Sequence, residues 1–452
     1  MASPAASLGA IELDAEAYVA LLGKFVGVAE QVQNAPSIGF VPRENVVSDL
    51  VLAELEPFTV SRGGPLTVER FEFVAGRGNV VITYQHPDER KKSELPGAPP
   101  PPTVAFMGSH MDVVPADPET WERDPFTLIV EGDKLYGRGT TDCLGHVALV
   151  TQLFLELARR QVPTKSKVVG VLIASEENQE IPGVGVETLM ASGRLDFLKD
   201  GPVIWTDSSN SQPRIGTAGA IAWTLTATGK LFHSGLPNLG INAIELALDA
   251  TTKLQERFYE DFGPVEQEKA YNFACPSTIK PVKVESAPSG LNQIPPWAKV
   301  TGDVRLSPFY EMEEMIAKVK SYVDDLNTDL SVLEGSRGQS SKYTLRDGEE
   351  RGKLEISFED DYFEGIACSL DSLSYRSLYE AIEHVKGEAK PFSISGSLPL
   401  VRDLQRAGFD LILIGFGLST VYHGNNEYCL LSDMQDAIKI LARTIDNVEA
   451  TL

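Results

Sequence analysis

Long apolar runs are missing from this sequence. Nowhere do about 18 apolar residues follow one another, so no transmembrane helix is expected. Cysteine is scarce: Cys143, Cys275, Cys368 and Cys429 lie far apart, with no CxxC pair. That argues against a disulfide scaffold and for a reducing compartment. Basic residues are outnumbered, 40 Lys and Arg against 64 Asp and Glu, which leaves a formal charge of −24. So acidic a surface repels phosphate backbones and argues against nucleic-acid binding, while it suits a small cationic or zwitterionic ligand. The stretch Met1 to Ala10 has neither the arginines of a transit peptide nor the long apolar core of a secretory signal. A cytoplasmic protein is expected, with a short plastid signal left open.

What is present is 452 residues, 42% of them hydrophobic and 23% charged, enough for a large core divided between two domains. Asp14 to Leu55 reads as helical, with Val19, Leu22, Phe25 and Val26 at helical spacing. Thr67 to Phe73 and Asn79 to Gln85 read as strands, and the charged, Pro-rich stretch Asp88 to Pro102 as an exposed loop. From Val104 the pattern alternates. Strands are expected at Val104 to Ser109, Lys134 to Tyr136, Val168 to Ala174 and Val203 to Thr206, with an apolar helix at Cys143 to Arg160. Such alternation predicts an α/β domain built on a mainly parallel sheet with helices on both faces.

The texture changes after about Pro213. Ile221 to Thr228 alternates like a half-exposed strand, Gly240 to Tyr259 reads as a helix, Ala298 to Leu306 as a strand and Glu311 to Leu326 as a helix. Asp329 to Gly352 reads as a long loop and Lys353 to Glu359 as a strand. This is an α+β insert. The first texture resumes with a helix at Ser374 to His384, a buried strand at Leu411 to Phe416 and a closing helix at Asp433 to Thr451. The expected division is therefore 1–215 with 361–452, interrupted by 216–360.

His110, in Gly108-Ser109-His110-Met111-Asp112, closes the first strand of the alternating region. From it the polar residues recur evenly: 32 positions to Asp142, 34 more to Glu176 and 31 more to Asp207. One strand–helix–strand step takes roughly 30 residues, so these side chains are expected at one edge of the sheet, where open α/β sheets bind ligands. His423 follows the late strand. Imidazoles and carboxylates of this kind suit zinc, cobalt or manganese and need no cysteine. Glu176 and Glu177 are adjacent and point differently, so one can ligate metal while the other takes a proton. Plainer readings exist: a structural histidine, a solvated pair of glutamates, a helix cap at Asp207. Shared spacing and strand-end position favour the metal reading.

Five pieces in this order resemble the M20 metallopeptidase and amidohydrolase family: Ser109-His110-Met111-Asp112-Val113-Val114-Pro115, Gly137-Arg138-Gly139-Thr140-Thr141-Asp142, Ala174-Ser175-Glu176-Glu177, Thr206-Asp207 and His423-Gly424-Asn425-Asn426-Glu427. The resemblance covers nearly the whole chain. Trp121 to Phe126, Asp142 to His146 and Ser395 to Arg402 are similar to the plant-type acetylornithine deacetylase branch.

The resemblance implies that Asp142 bridges two divalent ions, zinc or cobalt. His110 and Asp207 complete one site, and Glu177 with His423 the other. It implies a supporting role for Asp112 beside His110, a general base in Glu176, and a cis peptide after Asp142. The insert, expected to be ferredoxin-like, resembles the family's lid and dimerisation domain. His233, in Gly229-Lys230-Leu231-Phe232-His233-Ser234-Gly235, is implied to reach the partner subunit's active site in a homodimer and to stabilise an oxyanion. Asn292 and Arg305 fall where relatives hold a substrate carboxylate, although Arg305 reads equally well as a surface ion pair. Near Ser397 the family's pattern is broken by Leu398-Pro399-Leu400. The implied reaction is hydrolysis of N2-acetyl-L-ornithine to ornithine and acetate. The alternatives are another hydrolase of the family, a dipeptidase or broad N-acyl-amino-acid deacylase, and a metal-free relative that only binds an amino acid.

Overall fold

A computed structural model describes residues 7–398 and 400–452 of the chain. Two compact units emerge. The first comprises Met1–Ile215, Cys368–Phe392 and Asp403–Leu452, and the second Gly216–Ala367 with Ser393–Arg402. The second unit thus runs past the expected boundary at 360 and takes in Ser397, which the sequence reading had assigned to the first. The chain passes between units at the strands Arg214–Thr217 and Phe392–Ile394, so the boundary follows strand pairing that local patterning does not encode.

The first unit is built on an eight-stranded sheet. Its four central strands, Lys167–Ile173, Thr103–His110, Pro202–Thr206 and Asp410–Ile414, are mutually parallel. The flanking strands Leu66–Val74, Arg77–Tyr84 and Arg214–Thr217 run antiparallel. The central strands are almost wholly buried, as near-continuous apolar runs in a covered parallel sheet must be. From Thr103–His110 the chain crosses through the helix Leu144–Arg160 to the neighbour on one side, then returns to Pro202–Thr206 on the other. Such a reversal, at the carboxyl end of the His110 strand, is where open α/β sheets bind their ligands. The crossover helix is largely apolar and buried on every side from Leu144 to Ala158, packed against the sheet and the helices Ala15–Val26 and Leu431–Glu449.

Three elements depart from the sequence reading. Asp14 to Leu55 is two helices, Ala15–Val26 and Asn45–Leu55, because Gly27, Pro36 and Pro42 interrupt it. The expected loop 88–102 begins as the helix Pro87–Ser93, with Pro at its first position, acidic residues in its first turn and basic ones in its last. The expected loop 329–352 buries Leu330, Leu333 and Tyr343. The Tyr343 hydroxyl donates to Asp249 at 2.6 Å. Among the described residues no helix is long and apolar enough to cross a membrane.

The second unit is a four-stranded antiparallel sheet in the order Thr278–Ser286, Trp297–Leu306, Gly219–Thr228, Lys353–Phe358. The helices Ala243–Asp261 and Met312–Thr328 cover it. Taken in chain order the strands lie 2-3-1-4 with helices after the first and third, the ferredoxin-like arrangement. Burial alternates residue by residue along Gly219–Thr228, as a sheet with one covered face requires.

Candidate metal centre

The His110 strand does not run straight to its end. Met107 pairs with Val171 and His110 with Ile173, so three steps oppose two. This bulge re-aims the histidine. Gly108 makes it possible: its φ is +102°, and a Cβ there would lie 2.6 Å from the Trp205 ring. Ser109 ties the bulge to the next strand by a 2.8 Å hydrogen bond between its hydroxyl and that of Thr206, one residue before Asp207.

His110 is completely buried. Its Nδ1 lies 2.9 Å from the Asp112 carbonyl oxygen, and its Nε2 lies 3.0 Å from Oδ1 of Asp142. The other carboxylate oxygen of Asp142, Oδ2, lies 3.2 Å from Nε2 of His423, which is also 3.2 Å from Glu177. One carboxylate therefore faces two histidines, one through each oxygen. Two donor groups result. His110, Asp142, Asp207 and Cys143 have ligand atoms within 4.8 Å of one another, and so do Asp142, Glu177 and His423.

Asp142 itself corrects the expectation that each site residue follows a strand of the main sheet. It sits on the turn Gly137–Asp142, after the strand Lys134–Tyr136, which belongs to a separate three-stranded sheet with Ile129–Glu131 and Tyr428–Leu430. That pairing brings Glu427 under the turn. Glu427 accepts from the backbone N–H groups of Thr141 (2.8 Å), Asp142 (3.0 Å) and Gly139 (3.2 Å), and from Arg138 Nη1 at 2.7 Å. Glutamate and arginine are both buried, so each charge depends on the other. The Asp142–Cys143 peptide is cis.

Asp112 stands beside His110 as expected, its Oδ1 3.4 Å from the ring Nδ1, and it has further partners. Its carboxylate is fully buried and accepts from the backbone N–H of Glu176 (3.1 Å), that of Glu177 (3.0 Å) and the Asn34 side chain (2.7 Å). It thus aims the loop that carries both glutamates. Asn34 also donates to the Asn178 carbonyl at 3.0 Å. Nothing in the sequence marked Asn34, and the motif that contains Glu427 did not reveal its clamp. Only buried polarity, unmatched by local partners, could have drawn attention to either.

The electrostatics call for a cation. Burial, then Asp207, pushes the Glu176 carboxyl well above its usual range. Burial and the Asp142 charge raise Glu177 to about 7, and burial raises Asp207 to about 6. Hydrogen bonds to Asp142 and Glu177 raise His423 to about 10. Burial works against the charge on Asp142, but its two histidines outweigh it and hold the carboxyl low. Glu177 Oε1 is buried with no hydrogen-bond partner, a cost that a bound ion removes. Glu176 Oε2 stands 3.8 Å from His110 Nε2.

Four further candidates lie in the second unit. His233 is exposed on the two-stranded ribbon Phe232–His233 and Gln293–Ile294, its Nδ1 accepting from Gly235 N. Asn292 is exposed at the ribbon's other arm, and its carbonyl accepts from Ser234 N at 2.9 Å. Arg305 lies on the main sheet of that unit rather than the ribbon, and pairs with Asp303 at 2.7 Å, the surface ion pair of its plainer reading. Ser397 is half-buried in irregular chain, and Pro399 of the same motif lies outside the described residues.

Residues 106–447 match the model of peptidase family M20/M25/M40. The acetylornithine deacetylase of Arabidopsis thaliana is 48% identical over 97% of this chain and 96% of its own. That of Dictyostelium discoideum is 46% identical over 99% and 100%. Among solved structures, human carnosine dipeptidase 1 superimposes with a TM-score of 0.63 over 97% of both chains at 18% identity, a likeness of fold.

Proposed function

The chain belongs to peptidase family M20/M25/M40, and from that premise we propose that it is a two-metal amidohydrolase. It removes the acetyl group of N2-acetyl-L-ornithine to give L-ornithine and acetate, a step toward arginine. The substrate reading is supported by the two relatives of that name, similar along nearly their entire length. The metal reading is carried by one observation: Asp142 turns one carboxylate oxygen to His110 and the other to His423.

Asp142 would serve both ions, with His110 and Asp207 holding one and Glu177 and His423 the other. The donors are imidazole and carboxylate, which suits zinc or cobalt. Bound there, such ions would supply Lewis-acid polarisation of the amide carbonyl and a water of near-neutral pKa. The protein's own part is proton handling and positioning. Glu176 takes the proton of the attacking water and returns it to the leaving amine. A buried carboxylate beside His110 suits that task, because burial strengthens its hold on a proton. Asp112 keeps Glu176 and Glu177 aimed through their backbone N–H groups.

The second unit is the lid and the dimer contact, and its His233 polarises the carbonyl oxygen in the partner's site. Asn292 and Arg305 are the candidates for the substrate carboxylate, and Ser397 for another substrate contact. Buried cysteines that form no disulfide, Cys143 and Cys429 among them, fit a cytoplasmic setting.

The test is turnover of N-acetylornithine, N-acetylmethionine and simple dipeptides by zinc- or cobalt-loaded protein. Acetylornithine is expected to be the best substrate. A wide margin in favour of dipeptides overturns the assignment. Glu176→Gln should abolish turnover while leaving metal content intact.

A further inference from the structure

The buried half of the centre contains a donor that the assignment above leaves idle. Cys143 Sγ lies within 4.8 Å of the ligand atoms of His110, Asp142 and Asp207, and the thiol is wholly buried. Its surroundings are fixed from the far side by His146. Phe416 N donates to His146 Nε2 at 2.7 Å, so the ring proton sits on Nδ1, 3.3 Å from Cys143 Sγ. The imidazole therefore donates to sulfur and fixes where the sulfur stands. The thiol's own proton reaches only a long contact, 3.8 Å to the Thr206 carbonyl.

The opposite half offers three donors and no sulfur, and its histidine side chain is 55% exposed. The donor sets are unequal in number, softness and access.

We propose that Cys143 Sγ is a fourth protein ligand of the ion held by His110, Asp142 and Asp207. The ion takes the place of the thiol proton, which leaves to solvent. A set of one nitrogen, two oxygens and one sulfur is a closed arrangement of the kind that retains zinc or cobalt, whereas three donors leave a position free. The buried ion is then the tightly held one, and the Glu177–His423 side is where the amide binds. The inference rests on the two-metal reading.

Titration of the metal-free protein with cobalt(II), followed by absorption, separates the two. The first equivalent is expected to give a sulfur-to-cobalt charge-transfer band in the near ultraviolet, and the second to add none. Cys143→Ser should lose the band and bind the first equivalent more than about tenfold more weakly, the low end for loss of a group that supports a metal. His423→Ala should keep the band and bind one equivalent. Zinc-edge X-ray absorption on the unaltered protein, which needs no variant to fold, should find a sulfur at about 2.3 Å. Two equivalents bound with no band and no sulfur scatterer overturn the ligation by Cys143 and leave the two-metal reading standing. One equivalent bound with a band supports Cys143 and overturns the two-metal reading; one without a band overturns both.

Discussion

The two donor groups of the proposed metal centre share Asp142 and differ in how they are held. His110 sits on a bulged strand at the middle of the sheet, fully buried, with Nδ1 fixed by a backbone carbonyl. His423 stands on a loop at φ +54°, in the left-handed region, with more than half of its side chain in solvent. On the buried side every neighbour is a strand end or the clamped turn. On the open side Glu177 Oε1 has no partner; the other oxygen meets His423 at 3.2 Å, and Asp112 holds the residue through its backbone N–H. The difference teaches that one ion can be locked into a scaffold while the other is presented to a ligand, with a single carboxylate coupling them. Rigid placement belongs on strands and exchange on loops.

The largest break in that comparison is at the shared residue. Asp142→Ala is expected to release both ions and to lower kcat/KM by more than about 10^3, beyond the loss of a single oxyanion donor. Metal analysis that still finds two ions per chain would contradict the bridging role. Next comes the contrast between the halves. His110→Ala should empty the buried site and with it most activity, whereas His423→Ala should leave one ion bound. Equal metal content in the two variants would erase the asymmetry.

Smaller in effect, Glu427→Gln weakens the clamp on the Asp142 turn and leaves Arg138 buried without a full counter-charge. Metal affinity should fall about 10- to 100-fold, as for other groups that orient ligands, with a lowered melting temperature. Unchanged affinity would show that the turn holds its shape without the carboxylate.

The mildest lever is pH. In the metal-free protein Glu177 titrates near 7 and Asp207 near 6, both above their ordinary values of 4.5 and 3.8. Between the ordinary and the raised values the folded state holds protons that the unfolded chain has released. Metal-free stability from these groups therefore falls as pH rises through that window. A bound ion replaces those protons, so the stabilisation by zinc should grow as pH is raised from about 5 to about 7.5. Melting curves of chelated and zinc-loaded protein across that range check it; a metal shift independent of pH would speak against proton displacement at Glu177 and Asp207.

Much of this was open to a reading of residues alone. The strands that end at His110 and Asp207, and the strand leading to Glu176, show as apolar runs, and the second unit shows in the alternation of Ile221 to Thr228. Asp142 was found by its motif, yet its placement was misread, since a short strand pairing with Tyr428–Leu430 rather than the main sheet delivers it. Arg305 had two readings, and its geometry matches the ion pair with Asp303. Asn34 carried no signal at all.

Residue chemistry and local periodicity alone specified which side chains can bind a cation and which segments form strands and helices, because both are properties of near neighbours in the chain. Tertiary structure decided how the donors are sorted into two groups, that Glu427 grips a backbone 285 residues away, that Asn34 steadies Asp112 across 78 residues, and that a cysteine joins the buried group. Those are contacts between distant segments brought together by a shared core, and no short stretch of sequence records them.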